Sequence, residues 1–582
     1  GVERSYTGKR WESSDSDDRS ANAMSQRHGL SDIVSRLLVA RGVRIDTADT
    51  FLNPSLRSLL PDPARLQDME NAAERLAEAI LSGETIGVFG DYDVDGATSS
   101  ALLQRFVHSV GGRVDIYVPD RLREGYGPNL PALLGMKSSG VGVIVTVDCG
   151  ITAFDPLAGA AEAGIDVVVV DHHAAEPRLP EAVAVVNPNR LDDDSAMGQL
   201  AAVGVAFLLV IALNRKLRTL GHYQNRAEPN LMQWLDLVAL GTVCDVVPLV
   251  GLNRALVAQG LKVMARRDNI GIRALSDVAS VDEAPTTYHA GFILGPRVNA
   301  GGRVGEAGLG ARLLTTANED EAREMALRLD AWNKERRELE TICLEEAVDQ
   351  VERGGMDDGL VYASAENWHA GVIGIVASRL KERYNRPACV VAWEGGLGKG
   401  SGRSITGVDL GSAVIAARQS DLLVNGGGHP MAAGFSVSED NEFAFRKFLA
   451  DHIELQVGPG GVVRRLMIDA AVQPAGATAE LALDLARIAP FGAGNLEPRF
   501  VLPAARVAKA DVVGENHVRC FLTGESGGRL KAISFRSLGE PHGDAILNSN
   551  GMPLHIAGHI RVDRWQGREE AQLIIEDVAA VQ

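Results

Sequence analysis

The 582-residue chain is short of three things, and each shortage narrows what it can be. Cysteine comes first. The five thiols, at 149, 244, 343, 389 and 520, form no CxxC pair and no zinc-ligand spacing. Scattered thiols in odd number exclude a disulfide framework and fit a reducing cytosol. Positive charge is also scarce. A net charge of -18 excludes a generally basic nucleic-acid coat. It leaves room for a local basic groove, because counterion release depends on the phosphates contacted and not on the total charge. Long hydrophobic runs are missing too. The most apolar one, Ala201 to Leu213, is too short to span a bilayer. The first residues contain no signal-peptide core, so the expectation is a soluble, cytoplasmic protein. No internal repeat is visible.

What is present is ordinary globular composition, 46% hydrophobic and 23% charged. The length suggests roughly four domains of ~150 residues. Residues 1–26 are polar, with an acidic run at 13–18, and read as a loosely ordered segment; with the helices near 30–40 and 68–81 they give an N-terminal extension over 1–75. From 76 to 317 strands alternate with helices. Strands are expected at Ile86–Phe89, Val114–Val118, Val143–Val147 and Val167–Val170, the spacing of βαβ units around a parallel sheet. Residues 318–353 are charged, periodic and free of proline, and predict one helix of ~50 Å linking two lobes. A smaller α/β unit is expected over 354–457, with glycine-rich turns at 398–404 and 425–434. Short strands, the first at 462–468, then fill 458–582, after the Gly458-Pro-Gly-Gly461 linker, and suggest an OB-like β-barrel.

The chemistry points to strand ends. Val88-Phe-Gly-Asp-Tyr-Asp-Val-Asp-Gly96 carries Asp91, Asp93 and Asp95 out of an apolar strand into a helix. In an open α/β sheet, ligands bind at the carboxyl ends of the strands. Carboxylates held together raise one another's pKa unless a cation neutralises them, and an all-oxygen set suits Mg2+ or Mn2+. The next strands end alike, one on Asp148-Cys149-Gly150 and one on Asp171-His172-His173. An apolar helix leads into Asp245. Carboxylates with imidazole at one sheet edge are what a two-metal phosphodiesterase site requires.

Phe89-Gly-Asp-Tyr-Asp-Val-Asp-Gly-Ala, Val147-Asp-Cys-Gly, Asp171-His-His and Gly241-Thr-Val-Cys-Asp-Val-Val-Pro-Leu resemble the four motifs of the DHH phosphoesterase superfamily. With Gly295-Pro-Arg-Val-Asn-Ala-Gly-Gly-Arg303 and Pro490-Phe-Gly-Ala-Gly-Asn495, the wording is similar to the superfamily's single-strand-specific 5′→3′ DNA exonucleases. The resemblance implies a parallel-sheet catalytic lobe, a long helix, a DHH-associated lobe and an OB barrel. It implies two ions, one on Asp93 and Asp148, the other on Asp95, Asp148, His172 and Asp245, with His173 facing the scissile phosphate. Many relatives carry a ligating His where this chain has Phe89, which cannot coordinate, so that ion is expected to bind more weakly or to lean on water or Asp91; Asp91 is not counted as a firm ligand. Substrate contacts are expected from Arg121, Tyr126, Arg297, Arg303, Ser401, Arg403 and His429. Hydrolysis to 5′ mononucleotides in recombination and repair follows, by a monomer working on single-stranded DNA with a single-strand binding protein and a helicase as partners. Two alternatives remain: a DHH enzyme for (cyclic) dinucleotides or polyphosphate, and a single-strand-binding subunit with a decayed site.

Overall fold

The computed structural model describes residues 1–14, 17–354, 359–458, 461–565 and 567–581. Asp15 and Ser16 of the acidic run, and Pro459 and Gly460 of the linker, lie outside them. The chain divides into two compact units. One comprises Leu60–Val247 and Leu256–Val462, the other Gly1–Leu59, Pro248–Ala255 and Val463–Gln582.

The first unit holds the expected parallel sheet. Its strands run in the order Arg113–Tyr117, Thr85–Gly90, Val141–Val147, Asp166–Val170, Ala184–Val186, all parallel. The β-branched runs are buried on both faces, as a helix-covered sheet requires. The chain leaves Thr85–Gly90 for one neighbour, Arg113–Tyr117, and returns to its other neighbour, Val141–Val147. That reversal opens a crevice at the carboxyl ends of these two strands. Three pairings finish flush, Gly90 beside Val147, Val147 beside Val170 and Val170 beside Val186. The next residues, Asp91, Asp148, Asp171 and Asn187, therefore emerge on one edge. The fifth strand, and with it Asn187, has no counterpart in the strand pattern read from the sequence.

The helix Glu319–Gly354 spans 36 residues, as its composition predicts. Its first half buries Ala322, Met325 and Leu329, while Cys343, Ala347 and Val351 join the core of the smaller lobe. That lobe is a five-stranded sheet in the order Asn425–His429, Ala432–Ser438, Leu397–Arg403, Ala388–Glu394, Val361–Ala365. Here the expectation of glycine-rich turns is corrected, because three of these strands are the glycine segments themselves. A Cβ on Gly400 would lie 2.0 Å from the Phe435 ring, and one on Gly402 2.6 Å from Leu410. The glycines make room for packing across a sheet.

In the second unit the strands Phe500–Val513, His517–Gly524, Gly527–Ser534, Arg568–Ala580 and Pro553–Trp565 pair in that order, and the first pairs back with the last to close a barrel. The strand expected at 462–468 is Arg465–Ile468 and lies outside the barrel, parallel to Arg10–Ser13. The polar N-terminal residues are thus not loosely ordered. Trp11 is buried and its indole donates to Asp577 at 2.9 Å. Met24, Leu30, Val34, Leu37 and Leu38 complete the barrel's hydrophobic core. Residues 1–59 pack with the barrel unit, whereas 60–75 belong to the other, so the extension expected over 1–75 does not stand by itself. Arg254, within the inserted segment Pro248–Ala255, is buried against Phe51 and donates to the carbonyls of Phe51, Ile488 and Ala489.

Candidate metal centre and nucleic-acid cleft

The crevice is lined by the acidic strand ends. After Gly90 the backbone turns so tightly that a Cβ on Gly96 would lie 2.3 Å from the Asp91 carbonyl oxygen. The turn starts the helix Val94–Ser109, whose N-terminus Asp93 caps by accepting from the Gly96 amide at 2.9 Å. Asp95, in the first turn, accepts from the amides of Ala202 and Val203 at 2.7 and 2.8 Å, fixing its carboxylate against a second helix start. Asp148 has φ of 59°, a left-handed conformation that aspartate tolerates better than most residues, and is buried. Asp245 closes the helix Leu235–Cys244 at its C-terminus. The helix dipole there disfavours a carboxylate unless a cation is near.

These side chains converge on His172. Its Nε2 lies 3.2 Å from Asp148 Oδ1, and 3.6 Å from both Asp95 Oδ2 and Asp245 Oδ2. None of His172 Nε2, Asp148 Oδ1 and Asp245 Oδ2 has a hydrogen-bond partner, although all three are buried. Orphaned buried polar atoms are rare and costly. Burial, reinforced by the Asp93 charge, pushes Asp91 and Asp245 up to about 7. Burial and neighbouring carboxylates hold Asp95 and Asp148 well above the usual range. Burial, with the charge of His173, takes His172 down to about 4, leaving a neutral imidazole. Acids that cannot all ionise, next to a neutral histidine whose nitrogen is unused, fit divalent cations.

Three overlapping sets of possible ligands are discernible. Asp95, His172 and Asp245 form one, Asp91, Asp93 and Asp148 the second, and Asp148, His172 and His173 a third that overlaps both, each with its ligand atoms within 4.8 Å of one another. Asp148, at 3.2 Å from His172, stands between the first two. Asp91, set aside on the sequence, is buried within the second set, while Phe89 is buried in the core and stacked on Tyr117 at 5.4 Å.

Asp171 went unrecognised in the sequence. Its carboxylate accepts from the amides of Ile151, His172 and His173 and from His173 Nδ1 at 2.7 Å. Burial alone would raise its pKa, but the bond and charge of His173 outweigh burial and hold it low. Burial would likewise lower His173, and Asp171 reverses the sign. Asn187 and Asn189 hold the carbonyls of His173 and His172. The sequence signal for Asp171 was its place in the same motif; for the asparagines there was none.

The expected substrate residues divide. Arg403 donates to Ser401 Oγ at 3.0 Å, and burial followed by the charges of Arg303 and Arg121 lowers its pKa. Arg303 donates to the Gly371 carbonyl at 3.0 Å and Arg121 to the Tyr92 hydroxyl at 2.7 Å. Three guanidiniums from both lobes thus approach one another; among the described residues none forms a direct salt bridge, although the charges of Asp91 and Asp93 act on Arg121. That arrangement calls for an anion. Tyr126 does not stand free to stack: its hydroxyl donates to the Asp148 carbonyl at 3.0 Å and lies 3.3 Å from His173 Nδ1. Arg297, expected on the strand, is instead paired with Asp330 of the long helix at 3.0 Å and donates to the Ile293 carbonyl. His429 is exposed at the end of its strand.

Known proteins share this architecture. Family profiles match residues 85–242 (DHH family, N-terminal domain), 357–455 (DHHA1 domain) and 468–577 (RecJ OB domain). The single-stranded-DNA-specific exonuclease RecJ of Dickeya dadantii is 38% identical over 560 residues, 94% of this chain and 95% of its own. The chain belongs to the RecJ family. The Escherichia coli RecJ is 37% identical over 564 residues, 94% of this chain and 96% of its own. Among solved structures, Thermus thermophilus RecJ in complex with Mn2+ superposes with a TM-score of 0.83 at 30% identity, covering 98% of this chain and 80% of that one. The same RecJ in complex with Mg2+ matches at a TM-score of 0.78. The DHH lobe, long helix, DHHA1 lobe and OB barrel are the RecJ fold. No helix among the described residues is long and apolar enough to cross a membrane.

Proposed function

We propose that the chain is a metal-dependent, single-stranded-DNA-specific exonuclease that works 5′→3′ and releases 5′ mononucleotides in DNA recombination and repair. The observation that carries this reading is the trio of orphaned buried atoms on Asp148, His172 and Asp245, in a lobe whose Arg121 and Arg303 come near Arg403 of the smaller one. Asp91, Asp93, Asp95, Asp148, His172 and Asp245 would hold two divalent ions. Such ions, once bound, supply a nucleophile from water at neutral pH and neutralise charge on the phosphodiester. The protein's residues do the rest. Asp171 keeps His173 protonated through Nδ1, which leaves Nε2 to donate to a phosphate oxygen. Tyr126 fixes the Asp148 backbone. Ser401, Arg403 and Arg121, with Arg303 and His429 at the margins, would grip the terminal 5′ phosphate and set polarity.

In this proposal residues 76–317 carry hydrolysis, 354–457 hold the strand beside the metals along the 318–353 helix, and 458–582 hold nucleic acid further on. The protein acts as a cytoplasmic monomer alongside a single-strand binding protein and a helicase. The test is digestion of a long single strand labelled separately at each end, with Mn2+, Mg2+ or EDTA, beside a blunt duplex. Metal-dependent release of 5′ mononucleotides from the single strand alone is expected. Binding without cleavage under every metal, or cleavage of dinucleotides alone, would overturn the reading.

A further inference from the structure

Among the exposed large apolar side chains of the first unit, two aromatic rings stand together on a helix that is tied to the metal centre. Tyr288 is 60% and Phe292 74% exposed, and their rings stack on each other with centroids 5.5 Å apart and planes 28° from parallel. Helical backbone runs unbroken from 287 to 304, with a π-helix at His289–Leu294 followed by the α-helix Gly295–Val304. Pro296 accounts for the wide turn, since a proline removes the bond to the carbonyl four residues back and crowds it. π-Segments of this kind occur often at functional sites.

The inner side of this helix is fixed to the site. Ala290 and Leu294 are buried, and the Ala290 carbonyl accepts from Cys244, the residue before Asp245, at 3.3 Å. Further along the same helix stand Asn299 and Arg303. Asn299 accepts from the amide of Val94, next to Asp93, at 3.1 Å, and Arg303 reaches the arginine cleft. The helix that carries the exposed rings thus also braces the turn beside Asp93 and the helix end beside Asp245.

We propose that Tyr288 and Phe292 form a stacking platform for bases of the single strand whose terminal phosphodiester lies at the metals. The inference rests on the reading that the substrate is single-stranded nucleic acid. The rings are already stacked, so little ordering is needed when a base joins them. Every base has a π-face, so such a platform holds a strand without reading its sequence. A packing role is at odds with their exposure, since neither ring fills the core.

The experiment compares wild type with the Tyr288→Ala/Phe292→Ala double variant and with Phe292→Trp. Affinity for a long fluorescent oligothymidine is measured in EDTA, so that nothing is cleaved, and again for an abasic strand of equal length. The double variant should bind the oligothymidine about ten- to a hundredfold more weakly, as losing base–aromatic stacking predicts. On the abasic strand it should match wild type. With Mn2+, KM for the oligothymidine should rise while kcat holds. Emission of Phe292→Trp should be quenched by the oligothymidine and not by the abasic strand. Equal affinity of wild type and double variant for the oligothymidine, at unchanged melting temperature, would overturn the platform and leave the exonuclease reading standing. Equal weakening on both strands, or a lowered melting temperature with lost activity, would overturn it in favour of a structural role. Failure of the wild type to cleave the long strand would strike the parent reading.

Discussion

Two buried groups of acids in this molecule have opposite fates. In the barrel unit Glu576 is surrounded by partners: Arg499 at 2.6 Å, His559 at 3.4 Å and Lys9 at 3.6 Å. Burial would raise its pKa, but His559 and Arg499 overcome burial and bring it down to about 2. In the other unit, Asp148 at a strand end and Asp245 at a helix C-terminus have oxygens with no partner, and their pKa values move the other way. The first group is complete in itself. The second is complete only when something from outside supplies positive charge.

The sharpest way to break the comparison is Asp148→Asn. Activity with Mn2+ should fall on the order of a thousandfold, by analogy with the 10²–10³ lost with one electrostatic partner of a transition state. The metal-free protein should melt no lower than wild type, because an uncompensated buried charge has been removed. A fall in melting temperature with modest loss of activity would assign Asp148 to the structural class.

Asp171→Asn is next. It keeps the shape but loses the charge that orients and protonates His173. A loss of about 10- to 100-fold in metal affinity or activity is expected, together with a shift of the alkaline limb of the pH–rate profile to lower pH. An unmoved pH profile would refute the assigned role of His173.

Glu576→Gln should leave cleavage of short strands intact and destabilise the barrel unit by about 1–2 kcal/mol, the value for a broken buried pair discounted for partial exposure. Chemical denaturation followed by hydrogen exchange in barrel peptides would read it.

The smallest effect concerns the sign of pH dependence. Glu576 is depressed on folding, so its stabilisation is present above its unfolded pKa of about 4.3 and is lost as pH falls towards about 2. Asp91 and Asp245 are raised on folding. Without metal, their contribution is full below an unfolded pKa of about 3.9 and is lost as pH rises through about 7. Acidifying metal-free protein from pH 8 to 5 should therefore increase exchange protection around residues 91–95, and saturating Mn2+ should abolish that trend.

The same contrast explains what could be read in advance. Strand ends are legible because a β-branched run fixes both the strand and the point where its side chains stop being buried. Asp93, Asp148 and His172 were found that way. Interactions made across space were not. Trp11 finds Asp577 at 566 residues' separation, so a polar composition hid an ordered strand. Arg297 pairs with Asp330 of the long helix, a partner that nothing near it in the sequence announces. Glycine strands in the smaller lobe lack the side chains from which period-two alternation is read, and so passed for turns. Asp91 looked dispensable because nothing local shows that Phe89 is withdrawn into the core and that Asp91 lies among the ligand oxygens.

The barrel unit is assembled from the beginning, a short middle portion and the end of the chain. During synthesis its first 59 residues leave the ribosome long before the strands that cover them. At about 5–20 residues per second, the wait for residue 463 lasts on the order of tens of seconds. Throughout that time Met24, Val34 and Leu38 have no barrel to enter, and the Arg254 guanidinium lacks the carbonyls of Ile488 and Ala489. The barrel unit therefore cannot close until the end of the chain has emerged, whereas every segment of its neighbour is present once residue 462 is made.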